Sequence, residues 1–373
     1  MPVTRSQAAR WTRIPLAGGG QETLLSEVGA QYLLPLFSTA DACALRLVCR
    51  EFLAAVSEQP WEDRGTVIRG SIAAWRACFP RARCANVRQW HMGLPNQRAA
   101  PVVDADFVHF EGLLELHMMG CKDVTDAAFV HLRGIHTLDM QHCKQAGITD
   151  AAFAHLRGIH TLDMGNCRQR SITDAAFSHL RGIHTLSMRA CSQFTDAAFV
   201  HLRGIRTLNM PFCNQVGITD GAFSHLRGIH TLTMRYCSQA GITDAAFTHL
   251  RGIHTLDMGN CRQRSITDAA FAHLRGIHTL NMRGCSQPGI TDAAFAHLRG
   301  IHTLNMSDCS QASITDAAFA HLRGIHTLDM SGCNDQAIVG SNFGCLAGVS
   351  SLRVSYYPLY CRAQALGLAV SMP

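Results

Sequence analysis

The chain has 373 residues, of which 47% are hydrophobic and 16% charged, a balance that excludes general disorder and leaves room for more than one domain. Its formal net charge is +6, and basic residues accumulate early, from Arg64 through Arg69, Arg76, Arg81, Arg83 and Arg88 to Arg98. These arginines are spread out and lack interleaved aromatics at a binding spacing, so no nucleic-acid partner is expected.

Residues 1–21 carry Arg5, Arg10 and Arg13, no acid, and the run Gly18-Gly19-Gly20, which reads as a flexible basic tail. Over 22–61, Leu24, Leu25, Val28, Tyr32, Leu33 and Leu34 recur at helical spacing until Pro35 breaks the helix. Ser38-Thr39-Ala40-Asp41 then caps a second helix carrying Ala44, Leu45, Leu47, Val48 and Cys49. Phe52, Leu53 and Val56 continue its apolar face up to Pro60-Trp61. Residues 62–102 read as a linker with one helix at Ile72–Phe79 and a degenerate first repeat at Val87–Met92, followed by a loop from Leu94-Pro95-Asn96.

Residues 103–357 are an array of about 11 units. Ten cysteines from Cys121 to Cys333 step by 24 residues, with two steps of 22, from Cys121 to Cys143 and from Cys191 to Cys213. In Ile159-His160-Thr161-Leu162-Asp163-Met164 the inward residues Leu162 and Met164 alternate with Thr161 and Asp163, which is strand period. Thr173 can cap a helix over Asp174–Leu180 that places Phe177 and Leu180 on one face, and Gly182 suits its end. A 24-residue unit cannot bury that face alone; stacked neighbours can. A worn copy at Val339–Tyr357 closes the array, and Tyr356, Tyr357, Leu359 and Tyr360 are expected to cap it, with 358–373 as C-terminal cap and tail. Leu162–Ala176 recurs identically at Leu256–Ala270, 94 residues on, so a block of four repeats has been duplicated.

The pattern L-x-x-L-x-L-x-x-C with "ITD" before the helix resembles the cysteine-containing leucine-rich repeat. The resemblance implies an α/β solenoid, with a parallel sheet on the concave face and short helices on the convex face. Leu36–Trp61, LFSTADACALRLVCREFLAAVSEQPW, resembles the F-box, with Leu45, Val48, Cys49, Arg50, Phe52 and Trp61 in its pattern. The family's opening Leu-Pro is represented only by Ile14-Pro15 or Leu34-Pro35, both displaced. The resemblance implies a Skp-type adaptor, and through it a cullin, docked on Leu33, Leu34, Pro35, Leu36, Leu45, Val48, Cys49, Phe52 and Trp61. A helical cap on the solenoid is the other reading of this segment. Arrays this uniform behind an F-box are similar to expanded families of large DNA viruses and protists.

On the concave face, positions between the core residues vary while the core is held constant, which marks either free drift or a reading surface. The candidate target-binding set is Asp163, Arg189, Asn209, Pro211, Phe212, Thr233, Arg235, Tyr236, Asp257 and Arg283. Within it, Pro211-Phe212 beside Arg235-Tyr236, with Arg189 one repeat before, has the aromatic and arginine content of an interface anchor. Two histidine columns, in the helices and at the strand starts, read as stacked neutral imidazoles, and acid would set like charges side by side. The Arg and Asp columns read as structural and mutually offsetting.

No nucleophile elbow, phosphate loop, dinucleotide-binding glycines or Cys-x-x-Cys pair is present, so no enzyme activity, cofactor or metal is expected. No run approaches the ~18 apolar residues of a membrane span, and residues 1–20 hold no signal-like apolar stretch. An intracellular protein is therefore expected, cytoplasmic or nuclear, or in host cytoplasm if viral, and a monomer within a hetero-complex. The implied function is substrate recruitment to a Skp-cullin-F-box ubiquitin ligase. The alternative is a non-enzymatic interaction scaffold with no ubiquitin link.

Overall fold

The computed structural model describes residues 34–48, 50–91, 94–95, 100–333 and 336–372. The expected tail over 1–21, the helix from Leu24 to Leu33, and Cys49, Met92 and Asn96 lie outside the described residues. Contacts divide the chain into two compact units, one ending at Ile159 and the other starting at His160.

In the first unit, the expected helix after Ser38 divides into α1 (Thr39–Leu45) and α2 (Arg50–Glu58), with a turn at residues 46–48. Ser38 caps the helix as expected, and with Asp41 it forms a capping box. Asp63 secures the same end, accepting from the Thr39 amide at 2.7 Å and its hydroxyl at 2.9 Å. Burial raises the Asp63 pKa, but hydrogen bonds from Thr66 and Thr39 outweigh it and hold the carboxyl below the usual range. The predicted third helix is α3 (Ile72–Cys78).

The degenerate first repeat is displaced from its expected place. Strand β1 is Cys84–Asn86, and its register with β4 (Glu115–His117) sets Ala85 against Leu116. Ala82, Ala85 and Val87, all buried, therefore hold the positions of Ile, Leu and Met, rather than Val87, Trp90 and Met92. Small side chains suffice there because Trp61 and Phe79 fill the space, packed edge to face at 5.6 Å. The Trp61 carbonyl also accepts from the amides of Arg83 and Cys84. Residues 90–91 (β2) and 94–95 (β3) form a short antiparallel ribbon, in place of the loop expected from Leu94. Strand β5 (Thr137–Asp139) pairs parallel with β4.

Among the described residues, the second unit has ten parallel strands. They are β6 (Thr161–Asp163), β7 (Thr185–Ser187), β8 (Thr207–Asn209), β9 (Thr231–Thr233), β10 (Thr255–Asp257), β11 (Thr279–Asn281), β12 (Thr303–Asn305), β13 (Thr327–Asp329), β14 (Ser351–Arg353) and β15 (Val370–Ser371). Each pairs in register with the next, Leu162 against Leu186, Leu186 against Leu208, and so on to Leu328 against Leu352. Leu162 and Met164 are fully buried, as are their equivalents through Met306. The helices are single turns, such as Asp244–Phe247, or short 3-10 segments, such as Asp174–His179. Gly182 ends one of them at φ 83°, the left-handed conformation its position requires.

Three side-chain ladders couple successive repeats. From Asp174 to Asp292, the Asp that opens a helix accepts two bonds from the Thr that caps the next. Asp244 takes the Thr267 amide at 2.7 Å and its hydroxyl at 2.6 Å, while the Thr267 oxygen accepts from the Ala269 amide. The same clasp joins Asp196 to Thr219, Asp220 to Thr243 and Asp268 to Thr291. The buried Cys thiols from Cys191 to Cys333 donate to the Met carbonyl of the preceding repeat, as Cys261 does to Met234 at 3.0 Å. Burial pushes these thiols up, to about 12 at Cys213, Cys237 and Cys285. A glutamine column completes the set: Gln239 and Gln287 donate to the Cys213 and Cys261 carbonyls at 2.8 and 2.9 Å.

In the short repeat, Phe194 replaces the buried Ile of its neighbours and packs edge to face on Phe177 at 4.7 Å. The other short step, after Cys121, buries the smaller Val124 at the same place. At the C-terminal end, Phe343, Leu346, Val349, Leu352 and Val354 are buried as expected. The cap differs from the expectation. A helix at Tyr357–Ala365 buries Leu359 and Ala363 while Tyr356 and Tyr357 stay exposed, and β15 adds a further parallel strand.

Replacing Thr267 by Val removes a helix cap and a donor to a carboxylate. The expected loss is about 2 kcal/mol, read as a midpoint shift in urea unfolding. Thr248→Ala, on the exposed side of a helix, is expected to change stability by less than about 0.5 kcal/mol.

Candidate binding face

The strand positions between Leu and Met are half-buried at Asp163, Asn209, Thr233 and Asp257. Two of them have a local task. Asp163 Oδ1 accepts from the Gly165 amide at 2.9 Å and Asp257 Oδ1 from Gly259 at 3.0 Å, each holding its own turn. Burial raises the Asp257 pKa against the opposing pull of the Gly259 bond and Arg235. These carboxylates are thus committed to the turn, which narrows the reading surface expected of this column.

The residue before each Cys lies in the left-handed region, with φ between 56° and 62° at Ala190, Phe212, Tyr236, Asn260 and Asp308. Gly284 takes the same place at φ 63°. Asn, Asp and Gly suit that conformation, whereas Phe and Tyr are strained in it, typically by ~1–3 kcal/mol. The strain has a geometric result. The Phe212 and Tyr236 rings stack with centroids 4.5 Å apart and planes 7° from parallel. Arg189 lies 5.2 Å from the Phe212 centroid and Arg235 lies 5.8 Å from that of Tyr236. Arg235 Nε is 3.7 Å from Asp257 Oδ2. Phe212 and Tyr236 remain 39% and 38% exposed, so the stack presents its edges to solvent.

Other members of the expected set are placed differently. Pro211 is buried. Arg283 follows β11, two strands beyond the Tyr236 repeat, and pairs with Asp308 at 2.9 Å. The structure therefore brings together Arg189, Phe212, Arg235, Tyr236 and Asp257, and leaves Arg283 apart.

The histidine columns differ from each other. At the strand starts, His230, His254, His278, His302 and His326 form a continuous stack with centroids 4.5 to 4.6 Å apart. Each also meets the hydroxyl of the following Thr at 3.1 to 3.2 Å. His160 and His184 stack in the same way, and Arg206 occupies the column between the two stacks. In the helices, the Arg column serves the histidines rather than the Asp column: Arg203, Arg251 and Arg275 point Nε at Nδ1 of His225, His273 and His297 at 3.4 to 3.5 Å. The Asp column is instead engaged by the Thr clasps at Asp196, Asp220, Asp244 and Asp268.

In the N-terminal helices, Leu34 and Trp61 are buried, and Leu45, Val48 and Phe52 are half-buried. Trp61 donates its indole N–H to the Val56 carbonyl at 2.7 Å and is only 2% exposed, so it serves the core instead of a partner surface. The apolar side chains that face solvent are Leu36, at 79% exposure, Leu47 at 73% and Leu53 at 40%. Leu47 and Leu53 were not singled out as partner contacts by the sequence pattern. Pro35 is exposed; Leu33 and Cys49 lie outside the described residues.

A scan of known protein families gives no match, and no curated protein matches. Solved structures do match. The TLR13–ssRNA13 complex aligns over 83% of this chain and 48% of its own, with a TM-score of 0.58 and 15% identity. The Drosophila Toll–Spatzle complex aligns over 77% and 45%, with a TM-score of 0.55 and 12% identity. An internalin from Listeria monocytogenes aligns over 70% and 81%, with a TM-score of 0.52 and 16% identity. The fold is a leucine-rich-repeat solenoid. The chain spans just under half the length of the Toll and TLR13 chains. Among the described residues, no helix is long and apolar enough to cross a membrane.

A second cluster escaped the sequence reading because its members lie on two strands some thirty residues apart in the chain. Cys84 Sγ, a Glu115 oxygen and a His117 ring nitrogen all lie within 4.8 Å of one another. His117 Nε2 is 2.7 Å from Glu115 Oε1 and Nδ1 is 3.5 Å from Asp139 Oδ2. Arg64 pairs with Glu115 Oε2 at 2.7 Å. The bond to Asp139, then those to Cys84 and Glu115, hold the imidazole pKa up at about 10 against the effect of burial. The available signal was a break in the repeat columns: Glu115 stands where nine later strands have Thr.

Desolvation and the neighbouring imidazoles His254 and His302 hold the His278 pKa below its ordinary value. A depressed folded-state pKa means the stack's contribution is present above the free value of about 6.5 and is lost as pH falls. His117, with its raised value, runs the other way and keeps its contribution below about 6.5. The melting temperature is therefore expected to fall from about pH 7.5 to about pH 5.5, and the fall to shrink in a His254→Asn, His278→Asn, His302→Asn variant. Separately, Tyr236→Gly relieves left-handed strain while losing one stacked ring. Stability by urea unfolding is expected to stay within about 1 kcal/mol of the parent, unlike the several kcal/mol typical of an aromatic removed from a core.

Proposed function

We propose that this chain is a non-catalytic recruiter that holds a partner protein on the Arg189, Phe212, Arg235 and Tyr236 patch. The observation that carries this reading is the pair of aromatic rings kept exposed and stacked on left-handed backbone. The left-handed backbone is common to the repeats; what singles out this position is that two aromatic side chains are kept on it without a gain in core packing. Aromatic rings flanked by arginine are typical interface anchors, since they bury much area for little lost entropy. Asp257 beside Arg235 adds a charge that fixes register with a polar partner rim.

The finer reading follows from the F-box resemblance. In it, α1 and α2 dock a Skp-type adaptor and so a cullin, and ubiquitin passes to the held target through other subunits. The contribution of this chain is proximity rather than bond-making. Exposed Leu36, Leu47 and Leu53 support it by offering apolar surface on the helices that carry the resemblance. A plain interaction scaffold keeps the patch and dispenses with the adaptor.

Two variants of the full chain separate these parts. Leu47→Asp with Leu53→Asp changes only exposed side chains and is expected to abolish co-purification with a Skp-type adaptor. Arg189→Ala with Phe212→Gly and Tyr236→Gly is expected to keep the adaptor and to lose, by at least about tenfold, the partner captured by the parent. If the parent captures no adaptor, the ligase reading fails and the scaffold remains. If the patch variant holds the same partners with the same affinity, the recruiter surface lies elsewhere.

A further inference from the structure

We propose that Cys84, Glu115 and His117 form a binding site for a zinc-class divalent ion, with Asp139 and Arg64 orienting its ligands. The three side chains come from two adjacent parallel strands. Cys84 on β1 stands opposite Glu115 on β4, and Glu115 and His117 share one face of β4 at i and i+2. Asp139 stands opposite His117 on β5.

The donor set is thiol, imidazole and carboxylate. That mixture suits zinc or cobalt, and neither calcium nor magnesium, which take oxygen ligands. The three ligand atoms lie within 4.8 Å of one another. Around an ion with bonds of about 2.0–2.3 Å they would stand roughly 3.5 Å apart, a closure within reach of side-chain rotation.

The surrounding groups are arranged as a metal site needs. His117 presents Nε2 to Glu115 Oε1, while its other nitrogen faces Asp139. A carboxylate on the second nitrogen is the usual orienting partner of a metal-bound histidine. Arg64 holds Glu115 Oε2, which leaves Oε1 directed at the cluster. Cys84 is 3% exposed, so its thiol meets few competitors from solvent. A cleft of about 320 Å³, lined by Glu62, Arg83, Leu114 and His136 among others, adjoins Cys84 and Glu115 and gives a fourth ligand room to enter.

The placement also breaks the repeat. Strands β5 to β13 carry Thr in the Cys84 and Glu115 column and Asp, Asn, Ser or Thr in the His117 column. The departures fall together in space, in neighbouring repeats. On binding, the thiol and imidazole protons pass to solvent, and thiolate and carboxylate oppose the two charges of the ion.

The test titrates the full chain, freed of metal by a chelator, with Co²⁺ as spectroscopic probe and then with Zn²⁺. The expected result is a one-to-one complex with a thiolate-to-cobalt charge-transfer band and tetrahedral visible bands, both erased by zinc. Cys84→Ser and His117→Gln are expected to remove the band, Asp139→Asn to weaken binding about 10–100-fold, and Cys345→Ser to leave it unchanged. Circular dichroism checks each variant; should Cys84→Ser fail to fold, the half-buried His117→Gln decides. Absence of a one-to-one complex, or a band that persists unaltered in His117→Gln, overturns the proposal and assigns any bound cobalt to other cysteines.

Discussion

Everything in the array rests on the coupling of each repeat to the next. A strand of three residues and a single helical turn have no independent stability, because neither buries a face nor repays the entropy of ordering it. The Asp–Thr clasp addresses both needs. One carboxylate takes an amide and a hydroxyl from the next repeat, and the same hydroxyl oxygen caps that repeat's helix. Helix initiation in one repeat is thereby tied to the presence of its predecessor. The buried thiols and glutamines extend the coupling to the turns, where carbonyls would otherwise be left without donors.

This coupling also determines where variation is tolerated. Leu, Met, Cys and the clasp are fixed by their neighbours on both sides, and the strand Asp and Asn positions are partly committed to their own turns. The position before each Cys is the freest in side-chain identity and the most demanding in backbone, since it lies at positive φ. Asn, Asp and Gly answer that demand at several repeats. Ala190, Phe212 and Tyr236 depart from it in three successive repeats, and the two aromatics meet in a stack, which is why they, among ten candidate residues, carry the functional reading.

Much of this was legible in the sequence, for an identifiable reason. Strand period, the cysteine step and the stacking of Leu162 and Met164 all express local pattern repeated many times. The adjacency of Phe212 and Tyr236 followed from the same register. What was not legible depended on details that pattern does not encode. Ala82, Ala85 and Val87 replace larger residues because Trp61 and Phe79 supply volume from outside the strand. The Asp column looked like a counterion row for arginine, whereas hydrogen-bond geometry gives it to threonine. Cys84 was hidden because its partners lie some thirty residues away and on another strand. Trp61 matched a motif position, but its indole is turned into the core.

The duplicated block from Leu162 to Ala176 and Leu256 to Ala270 acquires a mechanical meaning from the clasps. Because Asp196, Asp220, Asp244 and Asp268 all grip their successors through the same two bonds, any whole number of repeats can be spliced in without creating an unfamiliar joint. The length of the array is therefore an evolvable variable, decoupled from folding. Lengthening transports distal surfaces along the ladder as intact cassettes, so the span between two recognition points can be retuned by gene duplication alone.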